Sequence, residues 1–308
     1  MAEDEPASAA PHKRRSVAIA VGAVAVLAVA GLAGYLFFKR APASHGTQSQ
    51  AAAPATATGP KQAVLPFDVG DPDGVAVDRA GNVYVADSTR NQVVKLAPGA
   101  VNQTVLPFPG LNRPAGIAVD DKGGIYVVDA TNNRVLTLPA GAGELVELPF
   151  PGLNTPHGVA VDRNGDVYIV DSGNSRVLEL AVGSDSPTEL PFTGLKHPLG
   201  TAVDQAGAVY VADSDNNRIV KLAPGAATPL DLPLAGLNFP HGVAVDRRGD
   251  LFVTDLNNNR VLELAAGSPA PATLPFTDLN FPYGVAVDDH GNVYVADFHN
   301  RIVKLTTG

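Results

Sequence analysis

A glycine that opens a short apolar run recurs at positions 74, 116, 158, 200, 242 and 284, at a constant interval of 42 residues. A fixed period of this length marks a chain built from stacked identical units, a solenoid or a propeller. Each unit carries only strand signals. In the third, "GVAVD" is a short apolar run and "VYIVD" a second, richer in β-branched and aromatic residues. "SRVLEL" alternates, and "TELPF" closes the unit as a fourth short strand. Asp162, Asn164 and Gly165 supply the tight reversal between the first two strands. Four antiparallel strands per unit of about 42 residues match the blade of a β-propeller. The chain is therefore expected to be all-β, a six-bladed propeller over residues 61–308.

Pro66, Pro107, Pro149, Pro191, Pro233 and Pro275 recur in the "LPF" segment. Proline lacks the N–H that a central ladder needs, so this segment is expected at the outer edge of each blade. "GVAVD", the smallest and most uniformly apolar, is expected beside the axis. The phase is offset at the ends. "VLPF" at 64–67 precedes the first inner strand, and "RIVKLTTG" ends the chain without an outer strand after it. The N-terminal strand should complete the last blade and close the ring, removing the open edges. The outer-to-inner and second-to-third connections then share one face, here called the top. The Asp-x-x-Gly turns lie on the bottom.

One position escapes the uniformity. The residue before each opening glycine is Asp73, Ala115, His157, Leu199, His241 or Tyr283. Two residues earlier stand Asp71, Arg113, Thr155, His197, Phe239 and Phe281. Constant positions read as scaffold, and variable ones grouped on one face read as a ligand surface.

Ser16–Phe38 is an uncharged stretch of 23 residues, long enough to cross a bilayer as a helix. Lys13, Arg14 and Arg15 before it favour a cytoplasmic tail at 1–15. A cleaved signal peptide is the rival reading, but the run is long for one, and Lys39-Arg40 follows it directly. Residues 39–60, rich in Ala and Pro, read as a linker. The expected arrangement is a single-pass membrane protein whose propeller is extracytoplasmic, bottom face towards the bilayer. Ala30 and Gly34 would allow a weak homodimer through the span, although such pairs arise by chance in a helix so rich in Ala and Gly. With no Cys in the chain, no disulfide is available to stabilise the exported domain. The formal net charge is −9, and the repeats are more acidic still, because five of the 22 basic residues precede them against three of the 31 acidic ones. That balance argues against nucleic acid as a partner.

The unit "PHGVAVDRNGDVYIVDSGNSRVLEL" at 156–180 resembles an NHL repeat, and its "GVAVD…G.VYV.D..N.R" signature is met in all six units. Gln92 replaces the expected Arg in the first unit, and the last, "DFHNR", is one residue short. A single span, a linker and six such blades also resemble the extracytoplasmic sensor half of the actinobacterial receptor Ser/Thr kinase D family. Only 15 residues precede the span, without a Gly-rich loop, a His-Arg-Asp loop or Asp-Phe-Gly. The resemblance thus implies a sensor or binding propeller without kinase activity, unless this chain is a fragment of a longer one.

Two columns of Asp repeat in every blade, led by Asp78 and Asp87, and are expected to be structural: turn formers, or partners of the repeated Arg134, Arg176, Arg218, Arg260 and Arg301. Asp73, His157 and His241 occupy equivalent places in blades one, three and five, about 120° apart around a sixfold ring. They are candidate ligands for a divalent metal, the only cofactor the residues suggest. Phe239, Phe281, Tyr283 and Phe298 are expected to gather on the top of blades five and six. With Asp73, Arg113, His157, His197 and His241 they form the candidate surface for a protein, peptide or glycan. No catalytic residue is assigned. The leading expectation is a membrane-anchored binding or sensor propeller. The alternatives are a metal-dependent lyase or hydrolase using the axial site, and a scaffold for an envelope complex.

Overall fold

A computed structural model describes residues 59–307. They form six four-stranded antiparallel sheets, each a run of consecutive strands except one. The third, for example, comprises Val159–Val161, Val167–Asp171, Arg176–Leu180 and Thr188–Glu189, from the inside out. The exception is the sheet of the last unit. Its outer strand is Lys61–Val64, which pairs with Arg301–Thr306 in the register Lys61↔Thr306 and Val64↔Val303. The ring is therefore closed by the first strand, as the phase of the repeats requires. The closing ladder lies at 61–64, upstream of the expected 64–67.

The second strand of a blade is buried on both sides. Val83–Asp87, Val167–Asp171 and Val209–Asp213 have no exposed residue. Each sheet is flanked by two others, so its central strands read as unbroken apolar runs rather than alternating ones. The core is accordingly divided into inter-blade layers. Tyr168, Val170 and Val177 of one blade pack with Val209, Val211 and Val220 of the next. The closing layer joins Val75, Val85 and Val94 to Ala286, Tyr294 and Ile302.

The repeated prolines lie at the outer edge, but just past the strand. Apart from the first, the outer strands are two residues long, such as Thr188–Glu189. Leu190 still donates its N–H to Val177, and Phe192 then donates to the carbonyl of Leu190 at 2.7 Å. Pro191 is thus the centre of a γ-turn, whose φ it presets. The turn drives Phe192 inward, where it is 8% exposed. The same bond recurs at Phe67, Phe108, Phe150, Leu234 and Phe276.

Three short 3-10 turns, Ser172–Asn174, Ser214–Asn216 and Leu256–Asn258, cap second strands on the top face. Among the described residues, no helix is long and apolar enough to cross a membrane. The expected tail at 1–15, the span at 16–38 and nearly all of the linker at 39–60 lie outside the described residues.

Candidate functional site at the channel mouth

The residue before each opening glycine sits at an irregularity of the innermost strand. In five of the six sheets the register slips there: Pro72 pairs with Asp87, but the next pair is Val75 with Val85. In the remaining sheet the ladder starts only at Val159. A bulge bends the strand and re-aims a side chain. The glycines explain why the rest stays constant. A Cβ on Gly74, Gly116, Gly158, Gly200, Gly242 or Gly284 would fall under 3.0 Å from the carbonyl of the residue before the next blade's glycine. Ring packing therefore uses the backbone of these residues and leaves the side chain free to vary.

Three of the six side chains converge. Asp73, His157 and His241 each bring one ligand-type atom within 4.8 Å of the others. The His157 Nε2 lies 3.5 Å from Asp73 Oδ2. The two imidazoles meet edge to face at 4.9 Å between centroids. They line a cavity of about 60 Å³, together with the glycine ring and Thr201. The other blades contribute Ala115 and Leu199, both buried, and Tyr283, whose ring lies 5.0 Å from that of His241. Burial, with the neighbouring His157, pushes the His241 imidazole down to about 3. Burial would raise the Asp73 carboxyl, but His157, with His241 and Arg113, together outweigh it and hold the group below its ordinary value. Beside it, burial and the Asp73 charge raise the Asp71 carboxyl, whose Oδ1 is buried and accepts no hydrogen bond.

The fifth blade has its own support for this cluster. Thr254 stands where the other blades carry Ala or Val. Its Oγ1 accepts the Gly242 N–H and donates to the Tyr283 carbonyl, both at 2.6 Å. The backbone of His241-Gly242 is thereby tied to that of Tyr283.

The outer rim shows a feature that the sequence reading did not find. Arg113, Thr155, His197, Phe239 and Phe281 all have left-handed backbones, with φ between 43° and 57°. Every other left-handed position among the described residues holds Gly, Asn, Asp or Ser. A β-branched or bulky residue in this region is strained, and such strain concentrates at functional sites. In four of the five, the strained N–H is held by an Asn side chain of the preceding blade: Asn91 for Arg113, Asn133 for Thr155, Asn217 for Phe239 and Asn259 for Phe281.

Phe281, Tyr283 and Phe298 come together, with Phe298 6.1 Å from each of the other two rings. Phe281 and Phe298 are 41% and 46% exposed. Phe239 does not join them as expected. Its ring packs instead on His197 of the preceding blade, at 5.7 Å. Arg113 is exposed on the same rim.

The repeated carboxylates are structural. Asp129, fully buried, accepts the Arg134 Nε at 2.7 Å, the Asn112 N–H and the Asn132 amide. Gln92 takes the place of the arginine in blade one and reaches Asp87 at 3.2 Å. Asp78 caps its turn by accepting the Asn82 N–H and the Tyr84 hydroxyl. The sequence reading also passed over the position after this turn Asp, which varies as well. On the bottom it places Arg79 against Asp121 and Arg247 against Asp289 at 2.9 Å. These pairs are substantially exposed and well formed, so they read as surface ion pairs.

A family model described as NHL repeat matches six segments: residues 70–96, 111–138, 153–180, 195–222, 237–264 and 279–301, together just over half of the chain. The Serine/threonine-protein kinase PknD of Mycobacterium tuberculosis is 49% identical over 105 residues, covering 32% of this chain and 14% of the kinase. Virginiamycin B lyase from Staphylococcus aureus superposes with a TM-score of 0.60 at 18% identity, over 81% of this chain and 99% of that one. A chain of a nidogen–laminin complex gives a TM-score of 0.63 at 22% identity, over 70% and 84%. At such identities the solved structures share the fold, and the fold hosts both an enzyme and a member of a protein complex.

Proposed function

The chain belongs to the NHL-repeat family, and from that premise we propose that its propeller is a binding or sensor module that takes a protein, peptide or glycan ligand on the top face and performs no turnover. The observation that carries this reading is the rim: five strained, chemically different side chains at one structural position, all on one face. Strain persists where the surrounding structure over-determines it, and its restriction to the rim ties it to recognition there. The exposed Phe281 and Phe298 supply apolar anchors beside the polar His197 and Arg113, a mixture suited to a partner surface. The likeness to the kinase PknD supports the sensor reading. On the same reading, residues 16–38 anchor the module in a membrane with the propeller outside the cytoplasm.

The test places a photo-cross-linking side chain at Phe281, at Phe298 or at Val182, which is 67% exposed and follows a third strand on the bottom. Cross-links to a discrete partner are expected from the first two positions. Equal yields from all three would remove the proposal.

A further inference from the structure

We propose that Asp73, His157 and His241 form a divalent-cation site of the zinc type at the top mouth of the channel. The donor set decides the class of ion. Two imidazole nitrogens and one carboxylate oxygen suit zinc and its borderline neighbours, whereas magnesium and calcium prefer all-oxygen shells. The three residues come from alternate blades; of the blades between them, two supply the apolar Ala115 and Leu199 and the third Tyr283, whose ring packs against His241.

The geometry fits. Two ligands on one tetrahedral zinc, each about 2.0–2.1 Å from the ion, stand roughly 3.3 Å apart. The His157–Asp73 separation of 3.5 Å is already close to that value. The widest separation in the group, within 4.8 Å, closes by about 1.5 Å through small side-chain rotations. The cavity of about 60 Å³ at this point has room for an ion and a water, which needs roughly 15 Å³ of such space.

The scaffold holds the donors in place. The His157 carbonyl is fixed by the Gly116 N–H at 2.9 Å, and the His157 N–H by the Val170 carbonyl at 2.9 Å. His241 is only 6% exposed, packed between His157 and Tyr283, and its backbone is tied through Gly242 and Thr254. The buried His241, the half-buried His157 and the Asp73 carboxylate thus bring three ligand atoms within 4.8 Å of one another, a space that a cation can complete. Three protein ligands leave a fourth position open to the mouth, the arrangement of zinc sites that accept water or an outside donor. The site stands on its own donors, whether or not the rim takes a macromolecular ligand.

Titration calorimetry of the purified, chelator-treated full chain with zinc chloride tests it. One equivalent should bind in the micromolar range or tighter. Asp73→Asn, nearly isosteric, and His157→Ala should each weaken binding by about tenfold or more. His299→Ala, an exposed histidine on the same face, should leave it unchanged. Cobalt(II) in place of zinc should give the intense visible bands of a four-coordinate ion, and these should vanish in Asp73→Asn. Thermal unfolding of each variant without metal shows that it is folded. Absence of zinc binding at micromolar metal overturns the proposal. Undiminished binding in both ligand variants also overturns it, because the ion would then sit elsewhere.

Discussion

Gly116 donates its backbone N–H to the carbonyl of His157 at 2.9 Å, across the junction of the second and third blades. A Cβ on Gly116 would collide with that carbonyl and with the Val159 nitrogen, both backbone atoms that cannot step aside. Gly116→Ala should therefore destabilise the fold by about 2 kcal/mol or more. Gly143→Ala, where a Cβ meets nothing within 4 Å, should stay within about 0.5 kcal/mol of the parent. Denaturant midpoints of the two variants make the comparison.

The rim strain predicts a stabilising substitution. Thr155 is exposed, β-branched and left-handed at φ 43°. Thr155→Asn should raise stability by about 1 kcal/mol, because Asn tolerates this region. Phe281→Asn should show a smaller gain, since it also loses the contact with Phe298, and it should weaken ligand capture. A fall in stability for Thr155→Asn would mean that the rim is unstrained.

The buried Asp column contrasts a close arginine pair, Arg134 on Asp129 at 2.7 Å, with a distant one, Arg90 on Asp87 at 4.0 Å. Asp129→Asn leaves the Arg134 guanidinium with only the exposed Glu147 carboxylate, at 3.6 Å, and should cost about 3 kcal/mol. Asp87→Asn keeps the contact with Gln92, and its guanidinium partner Arg90 stands farther off, at 4.0 Å, so it should cost less, about 1–3 kcal/mol. Equal losses in urea unfolding would contradict the pairing.

Acid should act through the bottom turns. Asp78, Asp204 and Asp288 are partly buried, yet hydrogen bonds from the turn amides and from Tyr84, Tyr210 and Tyr294 hold their carboxyls below the usual value of 3.8. A depressed folded-state pKa contributes stability above the unfolded value, lost as pH falls through the folded one. Melting temperature should thus be insensitive to these groups above about pH 5 and drop below about pH 4. Asp288→Asn should lower it at pH 7 and flatten the acid limb.

Thr254 offers a test of the cluster's support. Thr254→Val keeps the shape but leaves the Gly242 N–H and the Tyr283 carbonyl without their partner, at a cost of about 1–3 kcal/mol. In the fourth blade, where Ala212 occupies this place, Ala212→Val tests packing alone.

The period of 42, the strand signals and the offset at the chain ends were enough to determine six blades and closure by the first strand, because a regular array can remove its edges only by pairing its two ends. The free position before each glycine was equally visible, and so was the membership of Asp73, His157 and His241 in one class of position. Their convergence to within 4.8 Å was not, since equivalent places on alternate blades fix directions around an axis but not the width of the channel. That width comes from the glycine-to-carbonyl contacts between neighbouring blades. The left-handed backbones of Thr155 and Phe281, the pairing of Phe239 with His197 and the tie through Thr254 likewise depend on contacts between residues far apart in the chain. Repetition writes the scaffold into local sequence, whereas the site exists only where different blades meet, and only tertiary packing sets those distances.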